Sequence, residues 1–141
     1  MILRDALKRF EAELEQAGVS SPSTNAEWIA SAALGMGRME LVLRAAGGVL
    51  ALTPEQIEEI RKLIRRRAAR EPLQYILESA SFCGIEVKVA PGVLVPRPET
   101  ELLAETGWKF LKTRTRPTAL DYCSGSGCIA LSLAIYARDA R

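Results

Sequence analysis

A run of five small residues near the end of the chain has the residue types best suited to hold a ligand. It follows an apolar, β-compatible stretch, Thr118–Asp121, and precedes a helix-like run over residues 129–135. The order strand, glycine-bearing loop, helix presents backbone N–H groups and a helix N-terminus to a ligand. Glycine can adopt positive φ and leaves room for close approach to the main chain. The run consists of Cys123, Ser124, Gly125, Ser126 and Gly127.

The spacing of the small residues within this loop excludes two common classes of ligand site. No Gly-Lys-Ser/Thr follows, so the loop is not a phosphate-binding P-loop, and it departs from the dinucleotide fingerprint G-x-G-x-x-G. Alternating small residues that begin two positions after an aspartate, here Asp121, are typical of S-adenosylmethionine sites. A purely structural turn is the alternative interpretation of the same residues.

Composition excludes several classes of chemistry. The chain has no histidine, which rules out Ser/His and Cys/His catalysis and any histidine-containing metal site. Cys123 has no base or cation nearby in sequence, so we interpret it as a small loop residue, and Cys83 and Cys128 as core residues. We therefore predict no metal and no catalytic side chain within these 141 residues.

Charge and hydropathy bear on partners and location. A net charge of +2 is too small to argue for nucleic acid. Charged residues recur throughout, so no apolar run reaches membrane-spanning length. The three cysteines are odd in number and lack CxxC spacing, which indicates reduced thiols. We expect a cytoplasmic protein without direct contact to nucleic acid or membrane.

The N-terminal half predicts a bundle of four amphipathic helices. Apolar residues recur at helical spacing over about residues 3–17, 24–34, 38–45 and 54–70. Thr24 with Glu27, and Thr53 with Gln56, have capping-box spacing and predict helix starts. The third helix offers four apolar side chains to a core: Met39, Leu41, Val42 and Leu43.

Six of the ten residues from 61 to 70 are basic. One interpretation is a patch for an acidic protein or RNA surface. We favour a solvated helix end, because cations suit the negative end of the helix macrodipole and these residues fall outside the apolar stripe.

Beyond residue 72 the pattern changes from helical to extended. Residues 80–90 predict a β-hairpin with Gly84 at its turn, and the prolines at 96 and 98 precede a helix that runs to about Lys112. We expect an α-helical bundle over residues 1–72, a β-hairpin linker over 73–95, and the first strand, loop and helix of an α/β domain over 96–141.

Two segments carry a resemblance to a known family. Phe82–Leu103, with its run Pro96-Arg97-Pro98-Glu99-Thr100-Glu101, and Leu120–Leu131 closely resemble the HemK/PrmC family of S-adenosylmethionine-dependent methyltransferases. That family modifies the glutamine side-chain amide of peptide-chain release factors. The resemblance implies a helical domain that helps to hold the release factor, a hairpin linker and a Rossmann-like methyltransferase domain.

The resemblance also assigns ligand-binding residues. It implies that residues 123–127 form the cofactor loop, with Cys123 at a position often occupied by glycine, and that Arg97–Glu101 lie beside the cofactor pocket. The candidate residues for S-adenosylmethionine are thus Arg97, Thr100, Asp121, Cys123, Ser124, Gly125, Ser126 and Gly127.

Two features of the family are absent from the sequence. The Asn-Pro-Pro-Tyr motif, which in the family binds the target amide, does not occur before Arg141, nor does the acidic residue that holds the cofactor ribose. We therefore expect an N-terminal fragment, inactive alone, of a release factor glutamine N5-methyltransferase, and a monomer. A non-enzymatic helical module that binds a release factor, or a related enzyme acting on a ribosomal-protein glutamine, are the alternatives.

The apolar residues of the C-terminal segment lack a complete core in this arrangement, because a parallel strand needs neighbours at both edges and helices on both faces. We predict that residues 113–141 are poorly ordered, or docked non-natively, in the isolated chain. Hydrogen exchange should show weak protection over residues 118–136. Strong protection there in a monomer would contradict the prediction.

Overall fold

The computed structural model describes residues 1–141 and divides into two compact units, Met1–Leu77 and Glu78–Arg141. The first unit is helical and the second contains a β-hairpin and two helices. The hairpin belongs to the second unit. None of the helices combines the length and apolar character needed to cross a membrane.

The N-terminal unit is a bundle of helices, which confirms the predicted architecture. A fifth, short helix over residues 73–77 follows Pro72. The helices are α1 Leu3–Gln16, α2 Pro22–Leu34, α3 Arg38–Gly47, α4 Pro54–Ala68 and α5 Leu73–Leu77.

The core of this unit is built from one stripe of buried side chains on each long helix. On α1 the buried residues recur every three or four positions, as helical periodicity requires. They are Leu3, Ala6, Phe10 and Leu14, and they pack with Ile29, Leu41, Ile60 and Ile64. The prediction for α3 was wrong in part, because Met39 and Leu43 are exposed and Leu41 is buried.

The two predicted capping boxes have different outcomes. At α4 the prediction is confirmed: the Gln56 N–H donates to Thr53 Oγ1 at 3.3 Å, and the Thr53 N–H donates to Gln56 Oε1 at 3.0 Å. At α2 the prediction was wrong, because the helix begins at Pro22 and Thr24 lies inside its first turn. Pro22 fixes a helical φ before Thr24 is reached.

The basic residues at the end of α4 are mostly engaged within their own unit. Arg66 forms a bidentate pair with Glu71, at 2.6 and 2.8 Å, which lowers the pKa of the Glu71 carboxyl. Arg67 Nε donates to the Oδ1 atom of buried Asn25 at 2.8 Å. Arg61 pairs with Glu58 at 3.0 Å. These contacts favour the helix-end interpretation over a free basic patch.

The C-terminal unit contains the hairpin and two helices. Strands β1 Ser79–Phe82 and β2 Ile85–Lys88 pair antiparallel, with Phe82 opposite Ile85, which confirms the predicted hairpin. Helix α6 spans Pro98–Leu111 and helix α7 spans Cys128–Tyr136. The small core of this unit contains Phe82, Val87, Ala104 and Cys128.

The strand predicted at residues 118–121 does not form a ladder, so that prediction was wrong. The segment has one partner, the last residue: the Ala119 N–H donates to the Arg141 carbonyl at 2.8 Å, and the Arg141 N–H donates to the Pro117 carbonyl at 3.0 Å. These two bonds have the pattern of a parallel pair. A single paired residue is too little for a strand.

The capping box at Thr53 provides a stability test with an internal control. Thr53→Ala removes a side-chain acceptor from the first turn of α4 and should lower the free energy of unfolding by about 1 kcal/mol. Thr24→Ala should leave it unchanged or raise it slightly, since alanine is the better helix former. Urea denaturation followed by far-ultraviolet circular dichroism measures both. Equal losses in the two variants would contradict the assigned caps.

Candidate cofactor loop

The loop before α7 has an alternating backbone conformation. Three of its residues adopt left-handed φ values, Cys123 at 60°, Gly125 at 56° and Gly127 at 73°. The Gly127 N–H donates to the Ser124 carbonyl at 2.8 Å and closes a turn, after which Gly127 caps α7. The left-handed φ values therefore fall on every second residue of the loop, in step with the small-residue spacing seen in the sequence.

The loop leaves donors and space for a ligand. The backbone N–H groups of Ser124, Gly125 and Ser126 make no hydrogen bond within the chain. A Cβ atom built at Gly125 or Gly127 meets no heavy atom within 4 Å. Unpaired amides beside the N-terminus of a helix favour a negatively charged or strongly polar group. This geometry fits a cofactor that presents a carboxylate.

Asp121 has a partner in the structure. Its Oδ2 atom accepts a hydrogen bond from the Ala130 N–H at 3.2 Å, in the first turn of α7. A carboxylate at this end of a helix is favoured by the macrodipole. Asp121 therefore ties the segment before the loop to the helix after it, and its second oxygen makes no hydrogen bond within the chain.

Arg97 and Thr100 lie at the start of α6. Arg97 is the exposed N-cap residue, and its side chain makes no hydrogen bond or ion pair. The Thr100 N–H donates to the Arg97 carbonyl at 3.0 Å. The structure brings Asp121 and the loop together but places no hydrogen bond between them and these two side chains. Their contact with a cofactor stays a prediction.

Sequence reasoning missed a clamp at the tip of the hairpin. The Cys83 N–H donates to Glu101 Oε1 at 3.0 Å, and the Tyr136 hydroxyl donates to the Cys83 carbonyl at 2.7 Å. The Tyr136 ring also packs against Trp108, with centroids 4.5 Å apart and an angle of 38° between the ring planes. Side chains from α6 and α7 thus hold both backbone groups of one turn residue. The alternation of apolar and charged residues in the hairpin sequence predicts where the turn lies. It does not indicate that Glu101 and Tyr136 bind the turn.

Cys83 itself is a packed residue with left-handed φ of 49°. Burial raises the pKa of its thiol, the neighbouring Ser132 hydroxyl acts against this shift, and the Glu101 carboxylate acts in the same direction as burial. A raised pKa lowers the thiolate fraction at neutral pH, so Cys83 is a poor nucleophile. Cys128 is buried, and Cys123 is exposed in the loop.

The class of the chain follows from its N-terminal unit. Residues 5–77 match the family model described as the PrmC N-terminal domain, and this range coincides with the helical unit. The chain belongs to the PrmC family.

Curated relatives extend the similarity into the second unit. The chain is 39% identical to the release factor glutamine methyltransferase of Geobacter sulfurreducens over 132 residues, which are 94% of this chain and 45% of the relative. It is 37% identical to the enzyme of the same name from Mycolicibacterium smegmatis, over 99% of this chain and 47% of the relative. The protein of that name from Thermodesulfovibrio yellowstonii is 49% identical over 84 residues, 58% of this chain and 30% of the relative. The chain spans about half the length of the curated relatives it matches.

The clamp predicts unequal effects for two glutamates in the first turn of α6. Glu101→Ala removes the acceptor of the Cys83 N–H and should lower the free energy of unfolding of the C-terminal unit by about 1–3 kcal/mol. Glu99→Ala, which removes an exposed acid from the same turn, should cost only about 0.3–1 kcal/mol. Trp108 fluorescence during urea denaturation, in a Trp28→Phe background, measures both. An effect of Glu99→Ala as large as that of Glu101→Ala would contradict the clamp.

Proposed function

We propose that this chain carries the recognition unit and the cofactor loop of a release factor glutamine N5-methyltransferase. The observation that carries the proposal is sequence similarity to enzymes of that name. This similarity extends through both units and includes the loop. The open loop geometry supports it, since amides and space are present where the cofactor is expected. In this proposal residues 1–72 recognise the substrate, 73–95 form a linker and 96–141 begin the methyltransferase domain.

The proposed cofactor is S-adenosylmethionine, which when bound supplies a methyl group on a positively charged sulfur. Within this chain, the amides of Ser124, Gly125 and Ser126 would bind its carboxylate, helped by the N-terminus of α7. Asp121 holds that helix in place through Ala130. The parallel hydrogen-bond pair around Ala119 and Arg141 supports the start of a Rossmann-like domain, because helix α7 then connects two chain segments that run parallel.

An amide nitrogen is a weak nucleophile, because its lone pair is delocalised. Methyl transfer to glutamine therefore depends on acceptors that position the NH₂ group in line with the methyl group. No histidine base is needed, so a chain without histidine agrees with this chemistry. In the proposal the residues of this chain contribute cofactor binding, and none of them is assigned as a positioning acceptor.

A second candidate function is binding of a release factor without catalysis. Apolar side chains exposed on α2 and α3 favour it, with Trp28 42% exposed, Met39 72% and Leu43 66%. The Arg38 guanidinium lies over the Trp28 ring, 5.6 Å from its centroid. Aromatic, methionine and arginine side chains are enriched at protein interfaces. The same surface would serve the enzyme, so the two candidates differ only in methyl transfer. For either we propose a cytoplasmic monomer.

The test is activity of a fusion. Residues 1–141 joined to the part of the Geobacter sulfurreducens relative outside the match should transfer a methyl group from S-adenosylmethionine to a glutamine of a bacterial release factor, detected by mass spectrometry. Binding of the release factor without methylation would favour the binding module. Methylation of a ribosomal protein, and not of the release factor, would favour the related enzyme that acts on a ribosomal-protein glutamine.

A pair of glycine variants in this fusion tests the loop. Gly125→Ala places a methyl group in the space left for the cofactor and should raise the KM for S-adenosylmethionine at least about tenfold, which corresponds to about 1.4 kcal/mol. Gly92→Ala is the matched control, because Gly92 also has positive φ, 93°, and also has no heavy atom within 4 Å of its Cβ position. Its KM should stay unchanged. Equal KM changes would contradict the loop assignment.

A further inference from the structure

A cavity of the C-terminal unit lies away from the candidate cofactor loop. Helix α6 ends at Leu111 and helix α7 at Tyr136, and both of these residues line the cavity, whose volume is about 410 Å³. The cofactor loop precedes α7, so the length of that helix, nine residues or about 13 Å, separates the loop from the cavity. Pockets of about 300–1,000 Å³ hold small-molecule ligands. The cavity is therefore large enough for a ligand of its own.

One part of the cavity lining is apolar. Leu111, Pro117 and Ala137 line the cavity and are themselves buried. Ile135 adds an aliphatic side chain that is 43% exposed, and the half-buried Tyr136 adds an aromatic ring. Apolar surface that a ligand removes from water contributes to its affinity. This part of the lining favours a ligand with an apolar or aromatic body.

The other part of the lining is charged, and most of the charge is positive. Lys112, Arg114 and Arg138 line the cavity together with a single carboxylate, that of Asp139. None of these four exposed side chains forms an ion pair within the chain. The Arg114 guanidinium lies over the Phe110 ring, 4.5 Å from its centroid. The cavity thus differs from the basic end of α4, where acidic and amide side chains engage several of the arginines.

The charges around the cavity do not balance. Arg116 lines a neighbouring cavity that also includes Asp139, which brings the cations near this carboxylate to at least four. The carboxyl end of a helix carries about half a negative charge, so the ends of α6 and α7 together with Asp139 offset about two of the four. At least about two positive charges remain without a partner. A phosphate monoester carries about two negative charges at neutral pH and matches this excess.

We propose that this cavity, here called the basic cavity, binds a small phosphate monoester that carries an apolar or aromatic group. The phosphate lies among Lys112, Arg114 and Arg138, and the apolar group lies against Leu111 and Ile135. Because the basic cavity and the cofactor loop are at opposite ends of α7, the inference does not rest on the proposed function. Either claim holds or fails without the other.

An RNA strand is the rival ligand, because its backbone presents the same kind of anion. Proteins that bind nucleic acid through its backbone commonly make about 6–10 phosphate contacts along an extended surface. Here the unpaired cations converge on one cavity, and the net charge of the whole chain is only +2. A single phosphate group therefore suits the basic cavity better than a polyanion does.

The experiment titrates phenyl phosphate into the 141-residue chain. Trp28→Phe leaves Trp108 as the only tryptophan, and its ring packs against that of Tyr136, 4.5 Å away, so a ligand in the basic cavity should change its fluorescence. We expect saturable one-to-one binding, with a Kd about tenfold lower than that of inorganic phosphate, which corresponds to about 1.4 kcal/mol. Phenol should bind more weakly than phenyl phosphate. Absence of binding, or phenyl phosphate binding no tighter than inorganic phosphate or phenol, would overturn the proposal.

Two lysines three residues apart locate the contact. Lys112→Gln removes a cation from the lining and should raise the Kd for phenyl phosphate about threefold or more, in the range of an exposed charge pair. Lys109→Gln changes the net charge equally and should leave the Kd unchanged, because Lys109 pairs with Glu105 at 2.7 Å and does not line the cavity.

Arg138→Gln should act like Lys112→Gln, since Arg138 reaches the same cavity from the segment after α7. Equal increases in Kd for Lys109→Gln and Lys112→Gln would show a non-specific effect of charge and would overturn the assigned site. A single-stranded RNA that binds more tightly than phenyl phosphate and displaces it would overturn the proposed ligand class in favour of nucleic acid.

Discussion

The C-terminal unit depends on one turn residue held from two sides. Its buried core is small, and the Cys83 amide and carbonyl are each bonded to a helix side chain, Glu101 from α6 and Tyr136 from α7. A left-handed cysteine is costly by itself, and these bonds stabilise it. Because both helices are fixed to the hairpin, the start of α6 and the loop before α7 belong to one packed unit. The candidate cofactor residues therefore lie in a unit whose only sheet is the two-stranded hairpin.

The packing around the segment before the loop explains which side chains of the C-terminal unit are exposed. In an α/β sheet the strand before the loop is covered on both faces and paired at both edges. In this chain the segment before the loop is not a strand. It pairs with one residue at one edge and has a helix on one face, so Leu120 and Tyr122 remain exposed. The loop amides are exposed for the same reason.

Much of the architecture follows from local signals, and the failures have physical reasons. The α1 stripe and the Thr53 cap were predictable, because periodicity and capping act within a few residues. The start of α2 was misplaced because Thr24 and Glu27 have the right spacing, whereas Pro22 begins the helix earlier. Apolar character alone placed Met39 in the core, where tertiary packing left it exposed. The clamp at Cys83 joins residues up to 53 positions apart, and no local pattern encodes such a pair. The loop was visible in sequence, but its free amides required coordinates.

The central proposal is that the loop of residues 123–127 forms only one wall of an S-adenosylmethionine site. Calorimetric titration of S-adenosylmethionine into the 141-residue chain alone tests this most directly. The account predicts no saturable heat at micromolar concentrations, because the loop amides face solvent and no second wall excludes water from them. Stoichiometric binding with a micromolar Kd would contradict it, since the site would then be complete within these residues.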